Sequence, residues 1–130
     1  DGKVTGDIGR GLLVLAGFET RDADADLGWM SAKLARLRIF ADAAGVMNRS
    51  VADTTHQVLV VSQFTLYGDT SAGRRPSWIA AARPEHAEPL VQAVVEHLRL
   101  LGATVATGRF RCEMVVSIEN DGPVTLLLEL

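Results

Sequence analysis

Apolar and polar residues follow two different spacings along this chain, and the places where one spacing gives way to the other mark its elements. Lys3 to Ile8 reads as a short strand entered by the turn dipeptide Asp1-Gly2. After a turn at Gly9-Arg10-Gly11, Leu12 to Phe18 is an unbroken apolar run, which suits a strand covered on both faces. Asp22 to Ile39 switches to helical spacing, with Leu27, Met30, Leu34 and Leu37 forming one stripe. Asp22, Asp24 and Asp26 crowd its start and Lys33, Arg36 and Arg38 its end, as the helix dipole favours. Asp42 to Gly45 is a turn, and Val46 to Val51 a short edge strand. Gln57 to Leu66 is the strongest strand, central because Val58-Leu59-Val60-Val61 is apolar on both faces. A loop from Tyr67 to Trp78 leads to a second helix from Pro84 to Leu101, bracketed by Pro84 and Gly102. Its buried face is Leu90, Val91, Val94, Val95, Leu98 and Leu101. Ala103 to Ala106 is another short strand. Cys112 to Ile118 alternates in period two, and Val124 to Leu130 is a last strand beyond the turn Asn120-Asp121-Gly122-Pro123. Strands and helices are mixed without repeat or linker, so residues 1–130 are expected to form one α+β domain.

Composition narrows the function classes. Only 5% of residues are aromatic, so the core rests on Leu, Val and Ala. The net charge is −3, so nucleic acid would have to meet a local arginine cluster rather than a basic surface field. A single cysteine, Cys112, provides neither an intrachain disulfide nor a structural zinc site, and fits a reducing compartment. The apolar runs are far too short to span a membrane, and the start carries no signal peptide. The chain opens at Asp1 in what resembles the middle of a hairpin, which suggests a segment before it.

Two stretches could carry chemistry. Ser62-Gln63-Phe64-Thr65-Leu66-Tyr67 puts two hydroxyls and an amide where a hydrophobic strand empties into a Gly-containing loop. Polar residues at a strand end also serve simply to cap backbone groups. Asn120-Asp121-Gly122-Pro123-Val124-Thr125 can present successive carbonyls rigidly, because proline fixes its φ and glycine permits close approach. On its own it reads rather as a plain turn between two strands. None of His56, His86 and His97 stands in a recognisable Ser/His/Asp order.

Taken together, the two stretches resemble the SQxxLY and NxGPxT motifs of the D-aminoacyl-tRNA deacylases. Gly11–Leu15, Leu37–Phe40, Met47-Asn48, Gly73–Ser77 and Thr107–Phe110 also resemble segments of that family, so the likeness spans nearly the whole chain. Two departures stand out. The family's first strand is missing, and Arg111-Cys112-Glu113 replaces smaller residues.

The resemblance implies a mixed or antiparallel sheet, or partial barrel, with two main helices. It implies hydrolysis of the ester of D-aminoacyl-tRNA and of mischarged glycyl-tRNA, in a cytoplasmic homodimer, with the site at the subunit boundary and no metal or organic cofactor. Gly122 and Pro123, in a cis peptide, would reach into the partner's pocket, hold the α-amino group and leave no space for an L side chain. Gln63 and Phe64 would supply backbone N–H groups, Ser62 and Gln63 would anchor the 3′-terminal adenosine, and Thr65 would be supportive. The RNA's own 2′-hydroxyl would take the place of a side-chain nucleophile. Met114 and Ala82 would line the pocket, with Asn120 and Thr125 completing the substrate-binding motif. Arg74 and Arg75 would meet tRNA phosphates. Met114 is also a natural strand-core residue, and Arg74 and Arg75 also read as solvated loop charges. The rival readings are a tRNA-binding dimer without catalysis, a related deacylase for mischarged L-aminoacyl-tRNA, and an ordinary esterase, which lacks an activated nucleophile here.

Overall fold

The computed structural model of the chain describes residues 2–130, and the statements below concern these; Asp1 of the predicted entry turn lies outside them. The elements in order are β1 (Gly11–Ala16), α1 (Asp24–Arg36), β2 (Phe40–Ala41), β3 (Met47–Arg49), β4 (Gln57–Ser62), α2 (Pro84–Leu100) and β5 (Thr104–Thr107), with 3₁₀ turns at Val51–Asp53 and Phe64–Tyr67. The mixed α+β class is as expected, with a more specific arrangement. The main sheet is parallel, in the order β1-β4-β5, and β2 and β3 form a separate antiparallel pair.

β4 is central, as its β-branched run predicts. Leu12 pairs with Val58 and Val14 with Val60 across β1 and β4, while Val58 pairs with Val105 of β5. Val58, Val60 and Val105 are buried, and Leu12 and Val14 pack against the same core. Both helices cover this one face and pack on each other. α2 contributes Leu90, Val94, Val95 and Leu98, while Leu101 of its predicted stripe is partly exposed. α1 buries Leu27, Ser31 and Ala35 rather than the Leu27–Met30–Leu34–Leu37 stripe. Small residues at this four-residue spacing let α2 approach closely, which a count of large apolar side chains overlooks. α1 is also shorter than expected, ending where the Leu37 N–H bonds back to Lys33 O (2.9 Å).

The opposite face of the sheet is less covered. Leu13 pairs with Leu59 and Leu15 with Val61 there, and Leu15 stands 42% exposed. The expectation that β1 is covered on both faces is therefore corrected: helices pack on one face only. Three further strands do not form. Residues 3–8, 112–118 and 124–130 take no ladder partner among the described residues. A period-two pattern says which side chains share a face, but a strand also needs a neighbouring row of N–H and C=O groups. In the C-terminal part, Val115, Ile118 and Leu127 consequently stand exposed.

Candidate active site

The site begins where β1 and β4 stop together. Ser62 is the last residue of β4 and pairs with Ala16, the last of β1. One more ladder bond follows, Gln63 N–H to Ala16 O at 2.8 Å. Beyond it β1 offers no partner, so the chain turns. Leu66 N–H donates to Gln63 O (3.2 Å) and Gly68 N–H to Thr65 O (3.0 Å). The strand predicted to run to Leu66 thus ends at Ser62, and the expected alternation of Ser62 and Phe64 against Gln63 and Thr65 gives way to a 3₁₀ turn.

That turn sorts the candidate donors. The Gln63 N–H, expected to face substrate, is taken by Ala16. The Phe64 N–H has no acceptor among the described residues. The Gln63 side-chain amide donates to Thr65 Oγ1. Thr65 is exposed and is bonded to an amide, not to a base. No histidine is placed to activate it. His56 precedes the first residue of β4, at the other end of that strand, its ring tilted against Phe40 with centroids 4.7 Å apart. Burial, then Arg10 and Arg49, push its pKa down. His86 bonds to the backbone carbonyl of Asp22 at 2.8 Å. Tyr67 is no base either, because burial, reinforced by Asp22, Glu19 and Glu129, raises its pKa and keeps the phenol protonated.

The 120–125 turn is locked by its own side chains. Val124 N–H donates to Asn120 Oδ1 (3.0 Å), and Asn120 Nδ2 donates to Thr125 Oγ1 (2.8 Å). The Gly122-Pro123 peptide is cis, and Gly122 sits at φ 122°, a conformation that excludes most side chains. Both residues are exposed, and their carbonyls accept no hydrogen bond among the described residues. The polar groups of Asn120 and Thr125, expected to contact substrate, are spent on each other. Among the described residues, no hydrogen bond joins this turn to residues 62–65.

Met114 is half-buried at the same end of the sheet, beside the end of β5. Its sulfur accepts the Arg109 N–H at 3.4 Å and lies against Gly108. Beside it a cavity of about 350 Å³ opens between α2 and the ends of β4 and β5, edged by Ser62, Gln92, Arg99, Gly108 and Phe110. Ala82 does not line it. Ala82 is buried in the core with its N–H on Phe18 O (2.9 Å), so its small size serves packing. Arg74 and Arg75 are exposed on a loop closed by the reciprocal backbone bonds of Asp69 and Ser77, both 2.8 Å. Sequence reasoning passed over Trp78, whose ring meets Phe64 edge-on at 5.4 Å and 72°. The signal for it is Gly68, where a β-carbon would collide with the Trp78 ring.

Residues 1–129 match the family described as D-Tyr-tRNA(Tyr) deacylase. A D-aminoacyl-tRNA deacylase of Heliobacterium modesticaldum is 57% identical over 129 residues, covering 99% of this chain and 86% of that protein. One from Dechloromonas aromatica is 55% identical over 130 residues, covering 99% and 87%. Among solved structures, a c-Myc DNA unwinding element binding protein superposes with TM-score 0.87 at 38% identity, covering 94% of this chain and 83% of that one. A probable eukaryotic D-amino acid tRNA deacylase shares the fold at TM-score 0.68 and 19% identity, covering 82% and 77%. The chain belongs to the D-Tyr-tRNA(Tyr) deacylase family.

Proposed function

We propose that this chain, as a single domain over residues 1–130, hydrolyses the ester between a D-amino acid and the 3′-terminal adenosine of tRNA. The observation that carries the reading is the split between its two halves. An unengaged N–H at Phe64 stands at the end of β4, and two unengaged carbonyls at Gly122 and Pro123 stand on a locked, exposed turn. An acyl ester needs donors for its developing oxyanion, and an α-ammonium group needs acceptors. No hydrogen bond joins the two halves among the described residues, and on this reading a second copy supplies the turn. Leu15, 42% exposed on the sheet face without helices, and the exposed Val115, Ile118 and Leu127 support a homodimer.

In the reaction, water adds to the ester carbonyl, assisted by the neighbouring RNA 2′-hydroxyl. The oxyanion is held by Phe64 N–H, and the bond to the ribose 3′-oxygen breaks to give free amino acid and tRNA. Ser62 and the Gln63 side chain orient the adenosine, and Met114 borders the pocket. Asn120 and Thr125 act by fixing the Gly122-Pro123 carbonyls. These carbonyls hold the amino group so that an L side chain would strike backbone, whereas glycine has nothing to strike. Thr65 is bonded to an amide and is not the nucleophile. A cytoplasmic location fits action on tRNA.

The test compares D-tyrosyl-, L-tyrosyl- and glycyl-tRNA. The D and glycyl esters should be cleaved and the L ester spared, with Thr65→Ala keeping substantial activity. Binding without ester loss would make the chain a tRNA-binding dimer only. Preferential loss of the L ester would make it the related L-specific deacylase.

A further inference from the structure

We infer that Trp78 is a positioning residue for the reaction, holding the Phe64 N–H in place through the Phe64 ring. The inference rests on the reading of Phe64 as an oxyanion donor. The loop after the 3₁₀ turn doubles back through the Asp69–Ser77 pair, two backbone bonds of 2.8 Å, and delivers Trp78 onto the turn it has just left. The indole then touches that turn twice. Its ring meets the Phe64 ring edge-on, centroids 5.4 Å apart at 72°. It also lies against the backbone of Gly68, so closely that no side chain could stand there.

Phe64 is 54% exposed and belongs to no buried cluster. Trp78 is its one aromatic partner among the described residues. The turn itself is short, closed by Leu66 N–H to Gln63 O (3.2 Å) and Gly68 N–H to Thr65 O (3.0 Å). Of these, only the 3.2 Å bond to Gln63 O acts on the peptide plane that carries the Phe64 N–H, whose own hydrogen is unengaged. An edge-to-face pair adds an oriented contact, since it fixes ring direction as well as separation. Through the Phe64 side chain, that contact fixes the peptide plane before it. Oxyanion stabilisation depends on donors aimed in advance, and small misplacements cost rate rather than binding.

The experiment uses the full chain with D-tyrosyl-tRNA and reads kcat and KM separately. Trp78→Ala should lower kcat by about tenfold or more and leave KM within about twofold. Trp78→Phe, which keeps an aromatic edge, should restore kcat. Gly68→Ala drives a β-carbon into the indole and should lower kcat in the same way. Thermal melts confirm that each variant is folded. A rise in KM with kcat unchanged would make Trp78 a tRNA contact, and unchanged kinetics in Trp78→Ala would leave it without a role; either overturns the inference. Amide exchange at Phe64 gives a readout that does not need turnover: it should quicken in Trp78→Ala and return in Trp78→Phe. Wild-type protein inert on the D ester would sink the proposed activity, while the Phe64 amide would still judge the positioning. Exchange unaltered by Trp78→Ala would overturn it.

Discussion

Arg111 holds φ at 59°, and among the described residues it is the one non-glycine in the left-handed region. A side chain bearing a β-carbon costs about 1–2 kcal/mol there. The position follows Phe110 at the edge of the cavity that also reaches Ser62, and precedes Met114. Arg111 gains little in compensation: it is exposed, and its charge only helps to depress the nearby Glu85 carboxyl, as one of the weaker causes. Glycine would relieve the strain but give back part of the gain through a freer unfolded chain. Arg111→Gly should therefore stabilise the protein by about 0.5–1 kcal/mol, seen as a higher urea midpoint at unchanged slope. A lower midpoint would show that the arginine makes contacts worth more than its backbone costs. The sequence flagged this segment as unusual. That the oddity is a left-handed residue became clear only with the backbone.

At the scale of elements, legibility tracked how local each determinant is. α2 was readable to within a residue, because Pro84, Gly102 and the apolar stripe all act inside one segment. β4 was readable as central, yet its end was not. It stops where β1 stops, and that depends on register between segments far apart in sequence. The same register engages the Gln63 N–H and leaves the Phe64 N–H unengaged, so no motif could have told the two donors apart. One local device escaped notice although it is written in sequence. Ser50 and Asp53 cap the 3₁₀ turn before β4 reciprocally: Asp53 N–H donates to Ser50 Oγ (3.2 Å) and Ser50 N–H to Asp53 Oδ2 (3.0 Å). The backbone bond from Ser50, then its hydroxyl, hold the Asp53 carboxyl below its ordinary 3.8. A depressed carboxyl adds stability that is complete above the unfolded value and is lost as pH falls through the folded one. Asp42 and Asp69, which accept backbone N–H bonds in their own turns, act in the same direction. Asp53→Asn keeps an acceptor oxygen that does not titrate. Its stability should fall less steeply than wild type as pH drops through and below the ordinary carboxylate range. Parallel acid limbs would show that the cap contributes nothing to acid sensitivity.

For the whole molecule, a parallel sheet normally has layers on both faces, and here the helices cover one. The alternating C-terminal segments were legible as apolar patterns but not as unpaired ones, because pairing needs a neighbouring backbone row that the pattern does not specify. Charge poses a related problem of scale. With a net charge of −3, the molecule as a whole repels RNA, so attraction must come from a place where cations are locally unopposed. The 69–77 loop is such a place. Arg74 and Arg75 are exposed and make no ion pair among the described residues, whereas Arg21, Arg83 and Arg99 each face a glutamate. Asp69, the acid of the same loop, accepts the Ser71 N–H at 2.9 Å. If both arginines meet phosphates of the single-stranded acceptor end, each displaces counterions and steepens the salt dependence of binding by about 0.7 in log–log slope. Replacing both with alanine should therefore flatten that slope by about 1.4 and weaken tRNA binding most at low salt. The cleavage rate of bound D-tyrosyl-tRNA should hold, because neither arginine touches Phe64 or the 120–125 turn. A double variant with the wild-type slope would move the phosphate contacts to another face, and Arg109 and Arg111 beside the cavity would be the next pair to replace.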